Sequence, residues 1–175
     1  QSHFEKAQEI NLRSLELAKK INLEARLPRI YDNLGNVYSA TGNQAAALES
    51  HQKALDLYRS QNAVRNIPST TLNIGNAYFR SGNYELALES FQMALADFEK
   101  FRNRIGIAYA TSNIGSVYLE NGNNEKALEW FQKAQVLKVQ LFPDDHSSFY
   151  NIGSAYRGLK RMKEAREQFG TALDI

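Results

Sequence analysis

Apolar residues recur along this chain at three- and four-residue intervals, the rhythm of helices with one buried face. Tyr31, Leu34, Gly35 and Tyr38 fall at i, i+3, i+4 and i+7. Ala87, Leu88, Phe91, Ala94, Leu95 and Phe98 keep that rhythm over three turns. Between such stretches stand Gly42-Asn43, Gly82-Asn83 and Gly122-Asn123. Glycine takes the left-handed conformation that ends a helix, and asparagine caps the next helix by accepting a backbone N–H. Pro28 and Pro68 sit where a first helix starts, a place where a missing N–H does no harm. The pattern predicts pairs of helices joined by tight turns.

The pairs repeat. Asn-apolar-Gly triplets begin at Asn33, Asn73, Asn113 and Asn151, spaced 40, 40 and 38 residues apart. Each triplet is followed by a tyrosine: Tyr38, Tyr78, Tyr118 and Tyr156. In register come Ala47, Ala87, Ala127 and Ala165, then His51, Phe91, Phe131 and Phe169, then Ala54, Ala94, Ala134 and Ala172. Four units result, at 26–65, 66–105, 106–143 and 144–175. Residues 1–25 fit the second helix of an earlier unit. Gly75, inside a first helix, costs about 1 kcal/mol relative to Ala; the expected return is close approach of the partner helix through its small Ala87 and Ala94. The last unit carries Lys160-Arg161 in place of Gly-Asn, so its turn is expected to be built differently, around Gly158.

Leu/Ile-Gly-x-x-Tyr, then Gly-Asn, Ala-x-x-x-Phe and a closing Ala, resembles the tetratricopeptide repeat. The long spacing is similar to the variety found in kinesin light chains, Pins-type adaptors and bacterial signalling proteins, and the stretch from Ile105 to Gly115 is especially like the last two. Departures are Thr71 and Thr111 at a position that is bulky in the family (Tyr31 and Phe149), and the missing closing proline. The resemblance implies an all-α, right-handed superhelical solenoid of stacked antiparallel helix hairpins, treated as one domain over 1–175, whose first helices line a concave wall.

Helical residues advance by about 100° each, which turns Asn33 and Asn36 away from the face of Tyr31, Leu34 and Tyr38. Asn33, Asn73, Asn113 and Asn151 are therefore expected to form a ladder, with Asn36, Asn76, Ser116 and Ser154 beside it. A primary amide donates and accepts, so it grips a peptide N–H and C=O together; the family's asparagine ladders imply the same use. The competing reading is structural, with each amide bonded to a neighbouring helix. Specificity is expected from Arg29, Ser69, Tyr109 and Ser147 in one row and Asp32, Leu72, Ser112 and Tyr150 in another, with Arg80, Glu120 and Arg157 near the helix ends. That mixture argues against a basic, carboxylate-gripping groove.

Composition narrows the chemistry. With 43% hydrophobic and 23% charged residues among 175, the chain can bury a core. A net charge of +2 gives no drive toward nucleic acid or an anionic membrane. There are no cysteines, and no run approaches the roughly 20 apolar residues of a membrane span. The chain opens on Gln1 without a signal-peptide pattern and reads as an excised fragment, expected in the cytoplasm. Asp144-Asp145-His146, after Pro143, reads as a capping turn rather than acid–base chemistry, and His51 as a packing histidine. Trp130 is expected to pack on the next unit. No catalytic constellation, cofactor motif or metal set is visible. The expected function is a protein-interaction scaffold that binds a peptide or helical segment of a partner. The alternative is a ligand- or peptide-sensing regulatory domain of a larger bacterial signalling protein. Phe169, Ala172 and Leu173 lack a following helix, and weak end-to-end self-association is expected there.

Overall fold

The computed structural model describes residues 3–173. Among them the helices run α1 His3–Lys20, α2 Leu27–Ala40, α3 Gln44–Ser60, α4 Ile67–Arg80, α5 Tyr84–Lys100, α6 Arg104–Glu120, α7 Asn124–Leu141, α8 Ser147–Gly158 and α9 Met162–Leu173. A single 3-10 turn, Glu24–Arg26, precedes α2. The described residues contain no strand. The chain divides into two compact units, Gln1–Ser90 and Phe91–Ile175. In the first, α1 packs on α2, α2 on α3 and α3 on α4; in the second, α6 packs on α7, α7 on α8 and α8 on α9.

One turn serves nearly every connection. Asn22, Gly42, Asn62 and Gly82 in the first unit, and Arg102, Gly122 and Lys160 in the second, all take positive φ between 51° and 84°. The following N–H returns to the carbonyl five residues back in each case, for example Asn43 to Tyr38 and Asn123 to Tyr118, at 2.8–2.9 Å. This bond satisfies a carbonyl that the helix end would otherwise orphan. Asn43 and Asn123 then accept the N–H groups of Ala46 and Lys126 at 3.1 and 3.2 Å. The last hairpin corrects the expectation of a different turn. Lys160 itself is left-handed, at φ 59°, and Arg161 N–H reaches Tyr156 O at 2.9 Å. The hydrogen bonding outweighs the left-handed strain, about 1–2 kcal/mol for a residue with a Cβ. Gly158 ends α8 instead, where a Cβ would collide with the Asn124 side chain.

The prolines set where first helices begin. Pro28 and Pro68 are the second residues of α2 and α4, and both are buried. Neither can donate to a carbonyl four residues earlier, and each disfavours helix in the residue before it. At the equivalent place in the next unit stands Ala108. There α6 starts three residues earlier in the repeat, at Arg104, and Asn103 caps it by accepting Gly106 N–H at 3.0 Å.

Glycine inside the first helices makes room for a ring. A Cβ on Gly35 would lie 2.5 Å from the His51 ring, on Gly115 2.7 Å from Phe131, and on Gly153 2.7 Å from Phe169. At each of these three glycines the helices approach closely, and a ring sixteen residues on fills the space. The alanines pack elsewhere in the same core: Ala47, Ala54, Ala127 and Ala134 are all buried. In the second unit Ala127, Phe131, Ile152 and Ala155 form one cluster flanked by Tyr118, Leu119, Leu128 and Tyr156.

Two substitutions separate these devices by sign. Gly115→Ala gains about 1 kcal/mol of helix propensity but drives a methyl into Phe131, an overpacking that costs about 1–3 kcal/mol, for a net loss of about 0–2 kcal/mol. Lys160→Gly removes the left-handed penalty and loses some chain entropy, for a net gain of about 0.5–1 kcal/mol. Urea unfolding of both variants checks this; a stabilised Gly115→Ala would show that the ring contact is loose.

Candidate functional site

The asparagines lie on the side of the first helices away from the core, unit by unit. In the first unit Asn33 is exposed and Asn73 half-buried; in the second Asn113 and Asn151 are half-buried. Among the described residues, Asn33, Asn73 and Asn151 spend no side-chain hydrogen bond. The second row is less uniform. Asn36 is exposed and Asn76 half-buried. Ser116 and Ser154 turn their hydroxyls back on their own helices, donating to Ser112 O at 3.2 Å and Tyr150 O at 3.0 Å. Ser154 is also buried, so it does not face a groove as expected. A hydroxyl one turn below a carbonyl finds that acceptor more readily than an amide does.

The flanking positions differ in what they offer. Arg29 and Ser69 are exposed, and Leu72 is half-buried. Tyr109 and Tyr150 expose 43% and 59% of their surface, large for aromatic side chains. The Tyr109 ring lies 5.9 Å from Phe142, and Tyr150 5.6 Å from Phe169. Arg80, Glu120 and Arg157 are exposed. Trp130 is half-buried with the Lys133 ammonium 4.8 Å from its ring centre. Phe169 is half-buried, while Leu173 remains 80% exposed.

Asp32 is not a groove residue. His51 Nδ1 lies 2.9 Å from Asp32 Oδ1, and Thr70 Oγ1 donates to Asp32 Oδ2 at 2.8 Å. His51 is 1% exposed, so its role as a packing histidine holds and gains a partner. Burial, then the Asp32 charge and a hydrogen bond to it, push the Tyr58 phenol above its usual range, against a smaller pull from Arg29. One carboxylate thus joins α2, α3 and α4. The clue in the sequence was a polar ring at a position held by Phe in the other units.

The second unit holds a matching surprise. Lys138 occupies the place of Phe98 and Tyr58 in the repeat register, and it is buried. Its ammonium donates to Ser147 Oγ at 2.8 Å and Asp145 Oδ2 at 3.4 Å, and sits 5.6 Å from the Tyr109 ring centre. Asp145 Oδ1 accepts Ser147 N–H at 3.0 Å, which makes 144–146 the capping turn expected. The two residues missing from this repeat are missing here. Phe142 has φ −140° instead of the left-handed conformation, and Pro143 follows it. Burial raises the Asp145 carboxyl, but the Ser147 N–H and hydroxyl and the Lys138 charge outweigh it and hold the group below its ordinary range. The described residues contain no cluster of three or more metal-ligating side chains. No described helix is long and apolar enough to cross a membrane.

Paired helices with a ring on a glycine, a left-handed turn and outward amides define an α-helical repeat protein. Family models described as tetratricopeptide repeat match residues 1–60, 66–137 and 146–175, and the chain belongs to the tetratricopeptide repeat family. No curated protein matches it. Among solved structures it is similar to BtubC (BKLC) from P. vanneervenii, at 20% identity over 97% of this chain and 71% of that one, with a TM-score of 0.83. It is similar to NprR in complex with its cognate peptide NprX, at 23% identity over 98% of this chain and 50% of that one, TM-score 0.80. The Rap conjugation gene regulator of plasmid pLS20, in complex with the Phr* peptide, aligns at 18% identity over 98% of this chain, TM-score 0.85. This chain spans about half the length of the last two.

Two predictions test the polar clusters. Asp32→Ala leaves His51 and Thr70 facing an empty acceptor site and is expected to cost about 2–4 kcal/mol in denaturant unfolding; a surface groove residue would cost within about 0.5 kcal/mol. For Asp145 the sign follows from its depressed pKa. Its stabilisation is present above the ordinary carboxylate range and is lost as pH falls through the lower, folded value. The melting temperature is expected to fall below about pH 4, and Asp145→Asn to flatten that part of the profile. An unchanged profile in the variant would show that other carboxylates carry it.

Proposed function

We propose that this chain is a binding module, not an enzyme, and that it holds a peptide or helical segment of another protein against its first helices. The observation that carries the reading is the recurrence of outward amides. Asn33 and Asn73 in the first unit, and Asn113 and Asn151 in the second, keep some solvent exposure. A primary amide matches the donor and acceptor of a passing main chain, so such a row holds backbone without choosing sequence. Choice then falls to the flanking residues: Arg29, Asn36, Leu72 and Asn76 in the first unit, and Tyr109, Ser116 and Tyr150 in the second. Exposed tyrosines suit this task, since they bury much area at little entropic cost.

A second reading is a sensing domain within a larger regulator, where occupancy changes an attached output. What favours it is the likeness to two peptide-bound proteins, NprR and the Rap regulator, of which this chain spans about half. The domain attached on either side of this stretch would distinguish the two readings.

The test is a pull-down from the source cell extract with wild-type chain and with the Asn73→Ala/Asn113→Ala double variant. Loss of each amide contact is expected to cost about 1 kcal/mol or more, weakening capture of identified partners roughly tenfold or more in total. If every identified partner binds the double variant as well as wild type, the asparagines are structural.

A further inference from the structure

Lys138 is a buried cation on α7, and its neighbours lead to the exposed face of the first helices. In register with it stand Tyr58 and Phe98, both buried, so the repeat places a ring here. Lys138 is 5% exposed. Its ammonium donates to Ser147 Oγ at 2.8 Å and Asp145 Oδ2 at 3.4 Å, and lies over the Tyr109 ring, 5.6 Å from its centre. We infer that Lys138 is a positioning residue for the bound segment. Ser147 and Asp145 fix the ammonium, and the ammonium holds the exposed Tyr109 ring in the orientation in which the segment meets it. The inference rests on the peptide-binding reading above and adds a buried residue that sets the affinity.

Three observations support that role. Tyr109 exposes 43% of its surface, and this exposure belongs to its place in the repeat. Its register partners Arg29, Ser69 and Ser147 are exposed as well. Second, the ring is held although it is wet. Phe142 lies 5.9 Å from it at an angle of 43°, and the Lys138 ammonium makes a cation–π contact with it. A side chain that is already held loses less freedom when a ligand arrives, and binding gains by that amount. Third, stability alone does not ask for lysine. Taking an ammonium out of water is costly, and apolar groups in place of a buried ion pair are often as stable or more so. A phenyl ring at 138 would fill the space, as Phe98 does in the preceding helix pair, but would bring no charge to Tyr109. Asp145 is half-buried and balances that charge while the ammonium stays over the ring.

The test uses peptides selected from a random phage-displayed library on the whole 175-residue chain, with affinities read by fluorescence anisotropy. Lys138→Phe restores the ring of the earlier units, and Lys138→Met removes the charge at similar length. Circular dichroism melts show that each is folded. Both are made in the wild-type and the Tyr109→Ala backgrounds and compared with Asn73→Ala/Asn113→Ala. Fluorine NMR of the chain labelled with 3-fluorotyrosine follows the Tyr109 ring, its signal assigned by Tyr109→Phe. The expected result is about threefold to tenfold weaker binding on loss of Lys138, with a shifted Tyr109 fluorine signal. No further loss is expected where Tyr109 is already alanine. Lys138 variants that bind as wild type does, while Tyr109→Ala binds weakly, would overturn the inference, since Tyr109 then acts without its buried partner. An equal loss in the Tyr109→Ala background would overturn it too, because Lys138 would then act through the fold of residues 142–146. If neither Lys138 variant folds, the lysine serves the fold and the inference falls. Peptides that depend on Asn73 and Asn113 but not on Tyr109 sink the inference and leave the groove reading standing. Peptides indifferent to the asparagines and to Tyr109, or no selected peptides at all, sink both.

Discussion

The structure depends on one contact, an aromatic or imidazole ring laid on a helical glycine sixteen residues earlier. Gly35 receives His51, Gly115 receives Phe131 and Gly153 receives Phe169. Glycine in a helix is unfavourable by about 1 kcal/mol. A fully buried phenylalanine such as Phe131 returns roughly 1.5–3 kcal/mol, so the trade is favourable there. The contact also fixes how near the two helices of a hairpin can come. The left-handed turn then needs only one tight geometry to join them, and the same geometry recurs at Gly42 and Gly122. Phe98 over Gly106 extends the same solution to a connection between hairpins.

A core built on rings tolerates a polar substitute only where the substitute brings its own partners. His51 and Lys138 are two cases in which the substitute is ionisable, and they are solved in the same way. Each stands where the repeat places an aromatic residue, and each is buried. A buried ammonium or imidazole without partners would cost several kcal/mol. His51 faces Asp32, whose second oxygen is filled by Thr70. Lys138 faces Asp145 and Ser147, with the Tyr109 ring on another side. Both clusters are assembled from residues that the repeat leaves free to vary.

The helices, the repeat register and the turns were legible in the sequence because each follows from local chemistry. Pro28 and Pro68 mark helix starts, Gly42 and Gly122 mark stops, and the alanine and phenylalanine columns mark the buried face. What was misread depended on contacts across the fold. Asp32 shares its helix position with Leu72, Ser112 and Tyr150, which are half-buried, buried and exposed in turn, and nothing local reveals that His51 and Thr70 will reach it. Lys160 looked like a break in the turn pattern, but a returned backbone hydrogen bond holds the turn whatever the side chain. Ser154 looked like Asn36 by register, yet its short side chain turns to the carbonyl of Tyr150. The rings that fill the space over Gly35, Gly115 and Gly153 were not read from the sequence, since periodicity places a residue on a face but does not say which opposing side chain fills the gap.

The division between the two faces explains why such a chain declares its kind more readily than its partner. On the inner face, volume and hydrogen bonding leave few choices, so alanine, glycine and phenylalanine recur. On the outer face of the first helices, packing leaves more choices. The asparagine recurs there at Asn33, Asn73, Asn113 and Asn151, while the residues beside it diverge. In the first unit the neighbours of the amides are Arg26 and Arg29, exposed cations beside aliphatic surface. In the second they are Tyr109 and Tyr150, exposed aromatics. Under the proposed function, identical amides in each unit hold main chain, and the unlike side chains beside them, which no repeat pattern constrains, discriminate among side chains.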